Sequence, residues 1–254
     1  MRKIMSNIPI KTPEEIEIMR KGGAILKETL DEMAKAVRPG ISTYELDQLA
    51  EKIIRDHMGA TPAFKGYRGF PATLCTSVNE EVVHGIPKKS VILREGDIIG
   101  VDCGVLYGGF YTDACRTFMI GDAAPEVRHF VDSTKSALNK AVRVVRPGAH
   151  IGDISHVIQR TLENEGFAPV IECTGHGVGR NLHEPPDILN AGKKNTGPLI
   201  EAGMVLAIEP ISSMGTGQVL TGDDNWTIIT ADRSLSAHFE HTVLVTEKGY
   251  EIIV

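Results

Sequence analysis

The chain has 254 residues, of which 42% are hydrophobic and 24% are charged, and its formal net charge is −6 at pH 7. This length and composition suit one large domain or two small ones with a well-packed core. The negative charge, without any block of lysines and arginines, argues against nucleic acid as the substrate. No run approaches the ~18 consecutive apolar residues of a membrane span, so no membrane partner is expected.

Four helices are predicted, in two pairs. They cover about 13–37, 42–59, 125–146 and 152–165. Thr12 and Glu15 form a capping box around Pro13, a residue that suits the first turn of a helix. Ser42 and Glu45 repeat the capping pattern before the second helix. An Arg-Pro-Gly sequence ends the first helix of the chain and again the third.

The remaining patterns predict strands and loops. Strands are expected at about 72–78, 97–102, 110–119, 169–173, 204–211, 226–230 and 239–246. The second and third of these form a hairpin whose turn covers 104–109. A loop at 66–71 contains aromatic side chains at an unusual density.

Two short motifs occur twice, in the same order. The string Val-Arg-Pro-Gly ends at Gly40 and again at Gly148, each time between two helices. A strand-like segment that ends in Asp102 resembles one that ends in Glu209 when the two are aligned on their glycines. We interpret these matches as an internal duplication, because the two pairs occur at nearly the same offset. A single catalytic domain, 1–254, is therefore expected, with two similar α+β halves and the site between them.

The amino-terminal residues contain no apolar segment like that of a secretory signal, so a cytoplasmic location is expected. The cysteines follow no zinc-ribbon or CxxC spacing, and we interpret them as reduced thiols in the core. They are Cys75, Cys103, Cys115 and Cys173. Cys103 and Cys115 lie near acidic candidate ligands, which would make them sensitive to oxidation or to metals.

Four carboxylates lie on or at the ends of predicted strands, where a negative charge would need a compensating positive charge. Asp102 and Asp113 lie on adjacent strands of the hairpin, where cross-strand neighbours approach within ~5 Å at Cβ. Glu209 ends a strand, and Glu240 lies in an otherwise apolar strand, where an unpaired carboxylate is costly. These acids would repel one another if they met. A pair of divalent metal ions ~3.5–4 Å apart would neutralise such a cluster.

A glycine-rich stretch at 175–186 contains two histidines, His176 and His183. Small residues beside a polar side chain let a ligand approach the backbone closely. Taken singly, such a histidine is more often a helix cap or a core residue than a ligand, just as a single Asp or Glu is more often solvated. The order in which the histidines and carboxylates occur changes that balance.

The motifs follow one another in the order of a known family. They are Asn79 to Pro87 around His84, then Asp102, Asp113, Gly175-His176-Gly177-Val178-Gly179, His183-Glu184-Pro185, Glu209-Pro210 and Glu240-His241-Thr242. This set closely resembles the type I methionine aminopeptidases, which belong to the metal-dependent M24 family. The resemblance extends over nearly the whole chain, from about 12 to 254.

The resemblance implies the fold. It is the α+β pita-bread (creatinase/aminopeptidase) fold, in which two pseudo-symmetric halves form an antiparallel sheet covered by helices. The halves would cover roughly 13–122 and 123–254, with no separate N-terminal domain.

The same resemblance implies a centre that binds two divalent metal ions. Its ligands would be Asp102, Asp113, His176, Glu209 and Glu240. Asp113 and Glu240 would bridge the ions, Asp102 would chelate one, and His176 with Glu209 would complete the other. A carboxylate-rich site with one histidine suits Mn, Fe, Co or Zn, and the ions would provide a hydroxide near neutral pH.

Three residues receive catalytic roles by the resemblance. Glu209 would also accept and shuttle a proton. His84 would contact the scissile amide on its nitrogen side, and His183 would stabilise the carbonyl oxygen as negative charge develops.

A methionine side chain requires an apolar pocket, since a flexible thioether suits aromatic walls. The candidate wall residues are Phe64, Tyr67, Phe70, Cys75, Leu182 and Trp226. Two of them depart from the common family pattern: Phe64 stands where cysteine is frequent, and Leu182 where phenylalanine is frequent. These departures affect the expected shape of the pocket more than the preference for methionine.

The resemblance finally implies an activity and its partners. The chain would remove the N-terminal (initiator) methionine from nascent proteins and peptides, with a preference for a small second residue. It would act as a monomer on nascent polypeptide N-termini, and any transient association with the ribosome would use the catalytic domain itself.

Three other interpretations stay open on the sequence. A prolidase or an aminopeptidase P would share the fold, although such enzymes usually have a large extra N-terminal domain. A non-catalytic binding member of the fold would lack metal ligands. A metal-binding structural protein would not need His84 and His183.

Overall fold

The computed structural model describes residues 8–254. The amino-terminal segment, for which the sequence predicts no secretory signal, lies outside the described residues. The helices are α1 Pro13–Ala36, α2 Thr43–Asp56, α3 Pro125–Val142 and α4 Ile151–Asn164. Across 8–254, no helix is both long and apolar enough to cross a bilayer.

Both predicted capping boxes are confirmed. The Thr12 hydroxyl accepts the Glu15 backbone N–H, and the Glu15 carboxylate accepts the Thr12 N–H in return. Ser42 and Glu45 make the same exchange at the start of α2. These reciprocal bonds satisfy donors that the first turn of a helix leaves unpaired, so each helix begins where the local sequence predicts.

The strands are more numerous than the sequence predicts, and most of them are short. They are β1 Ala60–Pro62, β2 Leu74–Val78, β3 Glu81–Val83, β4 Ile98–Tyr107, β5 Phe110–Met119, β6 Ala168–Pro169, β7 Thr174–Gly177, β8 Glu184–Leu189, β9 Val205–Ile208, β10 Ile211–Ser213, β11 Val219–Thr221, β12 Ile228–Thr230, β13 Ser236–His238, β14 His241–Thr246 and β15 Gly249–Ile252. All of their pairings are antiparallel.

Several sequence-based boundaries are wrong; the strand predicted at 169–173, for example, covers only Ala168–Pro169. The hairpin turn is only Gly108–Gly109 rather than 104–109, because β4 and β5 stay paired as far as Tyr107 and Phe110. The strand predicted at 204–211 breaks at Glu209 and Pro210, and the strand predicted at 239–246 begins only at His241. Two of the predicted ligands, Glu209 and Glu240, therefore lie in breaks between strands.

Two sheets supply the candidate ligands. In one, β4 pairs with β5 on one side and with β1 and β2 on the other. The other has the order β15-β14-β9-β7-β8. Helices α1 and α2 pack on the first sheet around Leu26, Leu30 and Ile54, whereas α3 and α4 contribute Phe130 and Ile158 to a second core. Each half of the chain therefore has its own helix pair and core, as the internal repeat predicts.

Candidate active site

Three of the predicted ligands meet at one point. Asp113, His176 and Glu240 each offer a ligand atom, and these atoms lie within 4.8 Å of one another. They come from β5, from β7 and from the break between β13 and β14. Asp113 and Glu240 are buried, with 4% and 3% of their surface exposed. The centre thus lies between the two sheets and combines both halves of the chain.

Asp102 reaches the same centre from β4. In the β4–β5 register Gly104 is opposite Asp113, and Asp102 is opposite Cys115. The two aspartates are therefore diagonal neighbours, not the directly opposed pair that the sequence suggests. Alternate residues of a strand share one face, so both carboxylates face the cavity between the sheets.

Hydrogen bonds between the sheets hold this arrangement together. The Thr242 hydroxyl accepts the Asp113 N–H at 3.0 Å and donates to the Asp113 carbonyl at 2.7 Å. The Glu240 N–H donates to the Cys115 carbonyl at 2.9 Å. Both main-chain groups of Asp113 are thereby bonded to β14, which sets the positions of Asp113 and Glu240 relative to each other.

His176 faces the centre with a defined ring nitrogen. Its Nδ1 lies 2.9 Å from the Gly177 carbonyl, to which it donates a hydrogen bond, and its Nε2 lies 3.6 Å from Glu209 Oε1. Burial lowers the pKa of His176 to about 4, so the ring is neutral and its Nε2 lone pair is free for a metal. A Cβ at Gly175 would lie 2.5 Å from the Ala207 carbonyl oxygen and 3.3 Å from the Glu209 Cγ. Because the carbonyl belongs to the backbone, only glycine allows this close packing beside Glu209.

The electrostatics of the centre favour a cation. Burial raises the pKa of all four carboxyl groups, to about 7 for Asp102, and neighbouring carboxylates raise the pKa of Asp113 and Glu240 further. Within the described part of the chain, the buried oxygens Asp102 Oδ1, Asp113 Oδ1 and Glu240 Oε1 have no hydrogen-bond partner. Buried polar atoms without partners often mark an ion site. The donor set fits divalent metals.

The two predicted accessory histidines lie at the wall of the same cavity. His84 directly follows β3, and the pairing of Val83 with Ile228 brings it near Trp226. His183 directly precedes β8, and its ring lies 4.2 Å from that of His176, centroid to centroid. The Tyr67 hydroxyl is 3.1 Å from His183 Nδ1, so Tyr67 contacts a histidine as well as lining the apolar pocket.

The six residues predicted for the methionine pocket are brought together. All of them line a cavity of about 420 Å³ that opens from the carboxylate cluster. Phe64, Phe70, Cys75 and Leu182 form a buried apolar group, with Tyr67 and Trp226 against it. The Phe70 and Trp226 rings meet edge to face at 5.2 Å. One wall of the cavity is thus apolar and aromatic, and the opposite wall is acidic.

Sequence reasoning missed several residues of this site. Arg68 and Glu172 line the cavity, and His238 is buried against the carboxylates. The Nε2 of His238 lies 3.3 Å from Glu209 Oε2. A signal was present in the sequence, because His238 precedes Glu240 by two residues, a spacing that places both side chains on one face of an extended chain.

A buried ion pair behind His183 was also missed. Lys11 Nζ lies 2.6 Å from Glu184 Oε2, and the two side chains are 1% and 2% exposed. The other Glu184 oxygen accepts the Asn181 N–H at 3.0 Å. No local pattern predicts a contact between residues so far apart in the chain. The pair anchors the segment that bears His183 to Lys11, two residues before α1.

The cysteines do not behave as reactive groups. Cys103 and Cys115 are buried, and burial together with nearby carboxylates raises the pKa of both thiols. A protonated, inaccessible thiol is a poor nucleophile and a poor metal ligand. The structure therefore argues against the sensitivity to oxidation or metals that their sequence neighbours suggest, and supports a role in packing.

Comparison with known proteins decides the family. The model of metallopeptidase family M24 matches residues 17–247.

The chain belongs to metallopeptidase family M24.

Its relatives agree with this assignment over the full length. A methionine aminopeptidase of Clostridium acetobutylicum is 47% identical over 246 residues, which cover 97% of this chain and 98% of the relative. Methionine aminopeptidase 1 of Bacillus subtilis is 46% identical, and the match covers 96% of this chain and 97% of the relative.

Solved structures confirm the predicted pita-bread fold of this M24 chain. The crystal structure of methionine aminopeptidase from Thermotoga maritima superposes with a TM-score of 0.95 at 45% identity, over 97% of this chain and 98% of that one. A prolidase from Pyrococcus furiosus shares the fold at a TM-score of 0.79 and 24% identity, and the match covers 64% of that chain.

Proposed function

We propose that this chain is a metal-dependent methionine aminopeptidase, which removes the N-terminal methionine from peptides and nascent proteins. The observation that carries the proposal is the joining of a buried carboxylate–histidine cluster to an apolar aromatic pocket in one cavity. The full-length relatives that are named methionine aminopeptidases, at 46% and 47% identity, support it.

The metal would be held by the five ligands that the sequence indicates: Asp102, Asp113, His176, Glu209 and Glu240. Asp113, His176 and Glu240 are buried. Among the described residues, Asp102, Asp113 and Glu240 each have a buried oxygen without a hydrogen-bond partner, which supports this set. Divalent ions held there would polarise the substrate carbonyl and make a water molecule more acidic. We propose two ions, because four carboxylates leave a net negative charge that one divalent ion does not balance.

The protein groups around the scissile bond have complementary tasks. We assign proton transfer to Glu209, because its carboxyl pKa is raised by burial and it lies at the centre of the cluster. His183 would donate a hydrogen bond to the carbonyl oxygen as charge develops on it. His84 would contact the amide on its nitrogen side. Both histidines line the cavity beside the carboxylates.

The pocket supports a preference for methionine at the N-terminus. Its walls are Phe64, Tyr67, Phe70, Cys75, Leu182 and Trp226. An unbranched thioether adapts its shape to such a surface and makes favourable contacts with aromatic rings. Charged or strongly polar side chains would lose their hydration there without gaining partners.

Finer features of the activity also belong to the proposal. We propose a preference for a small second residue and a cytoplasmic location, where nascent chains emerge. The enzyme would act as a monomer on nascent N-termini, and any transient association with the ribosome would use this domain. The ions would be Mn, Fe, Co or Zn.

Peptide cleavage tests this function. Met-Ala-Ser should lose methionine when Mn(II), Co(II) or Fe(II) is supplied, and a chelator should stop the reaction. Glu209→Gln should lower kcat by at least about 100-fold, whereas Glu247→Gln, at an exposed glutamate in the turn after β14, should not. Equal rates on Leu-Ala-Ser would contradict the methionine preference, and preferential cleavage of Ala-Pro substrates would favour the prolidase interpretation.

A further inference from the structure

Unpaired polar atoms concentrate in the cavity. Among residues 8–254, six buried side-chain nitrogen and oxygen atoms have no hydrogen-bond partner: Thr73 Oγ1, Thr76 Oγ1, Asp102 Oδ1, Asp113 Oδ1, His238 Nε2 and Glu240 Oε1. Four of the six belong to cavity residues. Three of those four come from the proposed carboxylate ligands, and the fourth is the His238 Nε2.

The His238 ring faces the acidic wall. The residue is 4% exposed and ends β13, two positions before Glu240. Its Nε2 lies 3.3 Å from Glu209 Oε2 and 4.0 Å from Glu240 Oε2. The nitrogen nevertheless hydrogen-bonds neither oxygen. A buried imidazole nitrogen that is close to two carboxylates but bonded to neither needs an explanation, and a bound ion is one that fits its neighbours.

The backbone of His238 is held in place. Its N–H donates to the Thr117 hydroxyl at 2.9 Å, and its carbonyl accepts from the same hydroxyl at 2.7 Å. The Cys115 thiol donates to that carbonyl at 3.5 Å. These bonds tie β13 to β5 next to the centre, so the main chain of His238, like that of the neighbouring Glu240, is held against β5.

The Glu209 carboxylate lies between two imidazoles. One oxygen is 3.6 Å from His176 Nε2, and the other is 3.3 Å from His238 Nε2. Atoms that bind one ion at 2.0–2.2 Å lie about 3–4.2 Å apart, depending on the angle between them. The distances from His238 to Glu209 and Glu240 both fall in this range.

We propose that His238 is a sixth metal-binding residue of the centre and supplies a second imidazole nitrogen beside Glu209 and Glu240. The inference rests on the metal centre of the proposed function. A second nitrogen donor makes the site less favourable for hard, oxygen-preferring ions and more favourable for Fe, Co and Zn. The metal preference of this chain would therefore depend on a residue outside the predicted ligand set.

Metal titration of the full chain tests the proposal. Mn(II) and Co(II) dissociation constants are measured for the wild type, His238→Gln and His238→Ala, with folding checked by circular dichroism. His156→Gln is the matched control. His156 is a partly buried histidine on α4, and its Nδ1 contacts the Gly192 carbonyl. Both His238 variants should bind one ion about 10- to 100-fold more weakly than the wild type. The loss of affinity should be larger for Co(II) than for Mn(II). The control should bind both ions as tightly as the wild type.

Counting nitrogen ligands separates direct binding from an indirect effect. Pulsed EPR of the Mn(II)-loaded wild type should show couplings to two imidazole nitrogens, and His238→Gln should lose one. Added imidazole should restore Co(II) affinity in His238→Ala but not in His238→Gln, where the side chain fills the space. Weaker binding with unchanged nitrogen couplings would overturn the ligand assignment, since it would leave His238 only a positioning role for Glu209.

The outcomes for the two proposals are distinct. If the wild type binds no divalent ion and cleaves no Met-Ala-Ser, the proposed function fails. If the wild type binds metal and cleaves the peptide, and both His238 variants bind Mn(II) and Co(II) as tightly as the wild type, only the role of His238 fails.

Discussion

At His183, one ring nitrogen contacts the hydroxyl of Tyr67. The Tyr67 O–H lies 3.1 Å from Nδ1, and the two rings are stacked at 5.6 Å. If the hydroxyl donates to Nδ1, the proton of the neutral ring is on Nε2, where it can be donated to a carbonyl oxygen. Desolvation by the cavity walls lowers the pKa of His183 to about 4 even though the ring faces the cavity, so the neutral form is present at pH 7.

Removal of this hydroxyl should slow the reaction without weakening substrate binding. We expect Tyr67→Phe to lower kcat about 5- to 10-fold on Met-Ala-Ser, the loss that corresponds to one hydrogen bond of about 1 kcal/mol. KM should change less than twofold, because the ring remains in the pocket. Tyr250→Phe, at a solvent-exposed tyrosine on β15, is the control. An equal rise in KM with unchanged kcat would instead assign Tyr67 to methionine binding alone.

At the scale of elements, the site depends on the join between β5 and β14. Thr242 is fully buried, and its hydroxyl is bonded to both main-chain groups of Asp113. The two residues are 129 positions apart in the chain. The relative position of Asp113 and Glu240 is therefore set by bonds between the two sheets, those of the Thr242 hydroxyl and that of the Glu240 N–H to the Cys115 carbonyl.

Thr242→Val should loosen this join while preserving side-chain shape. We expect a loss of about 1–3 kcal/mol in the free energy of unfolding, because the Asp113 N–H and carbonyl lose their partner. Mn(II) affinity should fall as well. Thr134→Val is the matched control: this buried threonine makes two hydrogen bonds, to the Phe130 carbonyl and the Ser212 hydroxyl, within the other core. Thr134→Val should lose similar stability in urea unfolding but keep the Mn(II) affinity of the wild type. If Thr134→Val lost as much Mn(II) affinity as Thr242→Val, the specific role of Thr242 would be refuted.

The buried pair of Lys11 and Glu184 holds a second element, the segment before β8. Lys11→Met leaves a buried carboxylate unpaired and should cost about 3–5 kcal/mol of unfolding free energy. The double variant Lys11→Met/Glu184→Gln should lose less than the sum of the single changes, as a double-mutant cycle in urea measures. Lys27→Met breaks an exposed pair with Asp31 at 2.6 Å and should cost less than about 1 kcal/mol. If the losses of unfolding free energy of the two single variants simply added up in the double variant, Lys11 and Glu184 would have no coupling energy.

At the scale of the whole molecule, the proposed metal centre lies where the two halves meet. Asp102 and Asp113 come from one half, and His176, Glu209 and Glu240 from the other. Without a cation, the raised carboxyl pKa values reflect the cost of burying these charges together. A bound ion therefore contributes to folding stability as well as to chemistry.

Chelation should expose this dependence. The Tm of the wild type should fall when EDTA removes the metal and recover with Mn(II), since saturation at 100 times the Kd contributes about 2.7 kcal/mol. Each kcal/mol corresponds to roughly 2–4 °C for a chain of this size. At pH 8 and without metal, Glu209→Gln should have a higher Tm than the wild type. With metal bound, the variant should have the lower Tm of the two. An unchanged order in scanning calorimetry would show that charge repulsion at the centre is small.

Local sequence patterns predicted much of the secondary structure. Capping at Thr12 and Ser42 is read from four consecutive residues, so the helix starts agree with the structure. Strand ends were predicted less well, because the strands break at Glu209 and at Glu240. Such breaks depend on pairing with other strands, which the local sequence does not show. The hairpin turn was predicted to begin too early. Strands β4 and β5 remain paired as far as Tyr107 and Phe110, and the pattern of hydrophobic residues does not show how far a pairing extends.

The sequence by itself determined the helix pairs, the repeat, the order of the acidic and histidine motifs and the aromatic loop, since each of these depends on neighbours along the chain. Only the tertiary structure decided that His238 lies beside Glu209, that Tyr67 contacts His183, and that Lys11 pairs with Glu184. Those contacts join residues far apart in the chain. They form only when burial makes an unpaired charge or nitrogen costly, and that cost arises from the packed site rather than from any local pattern.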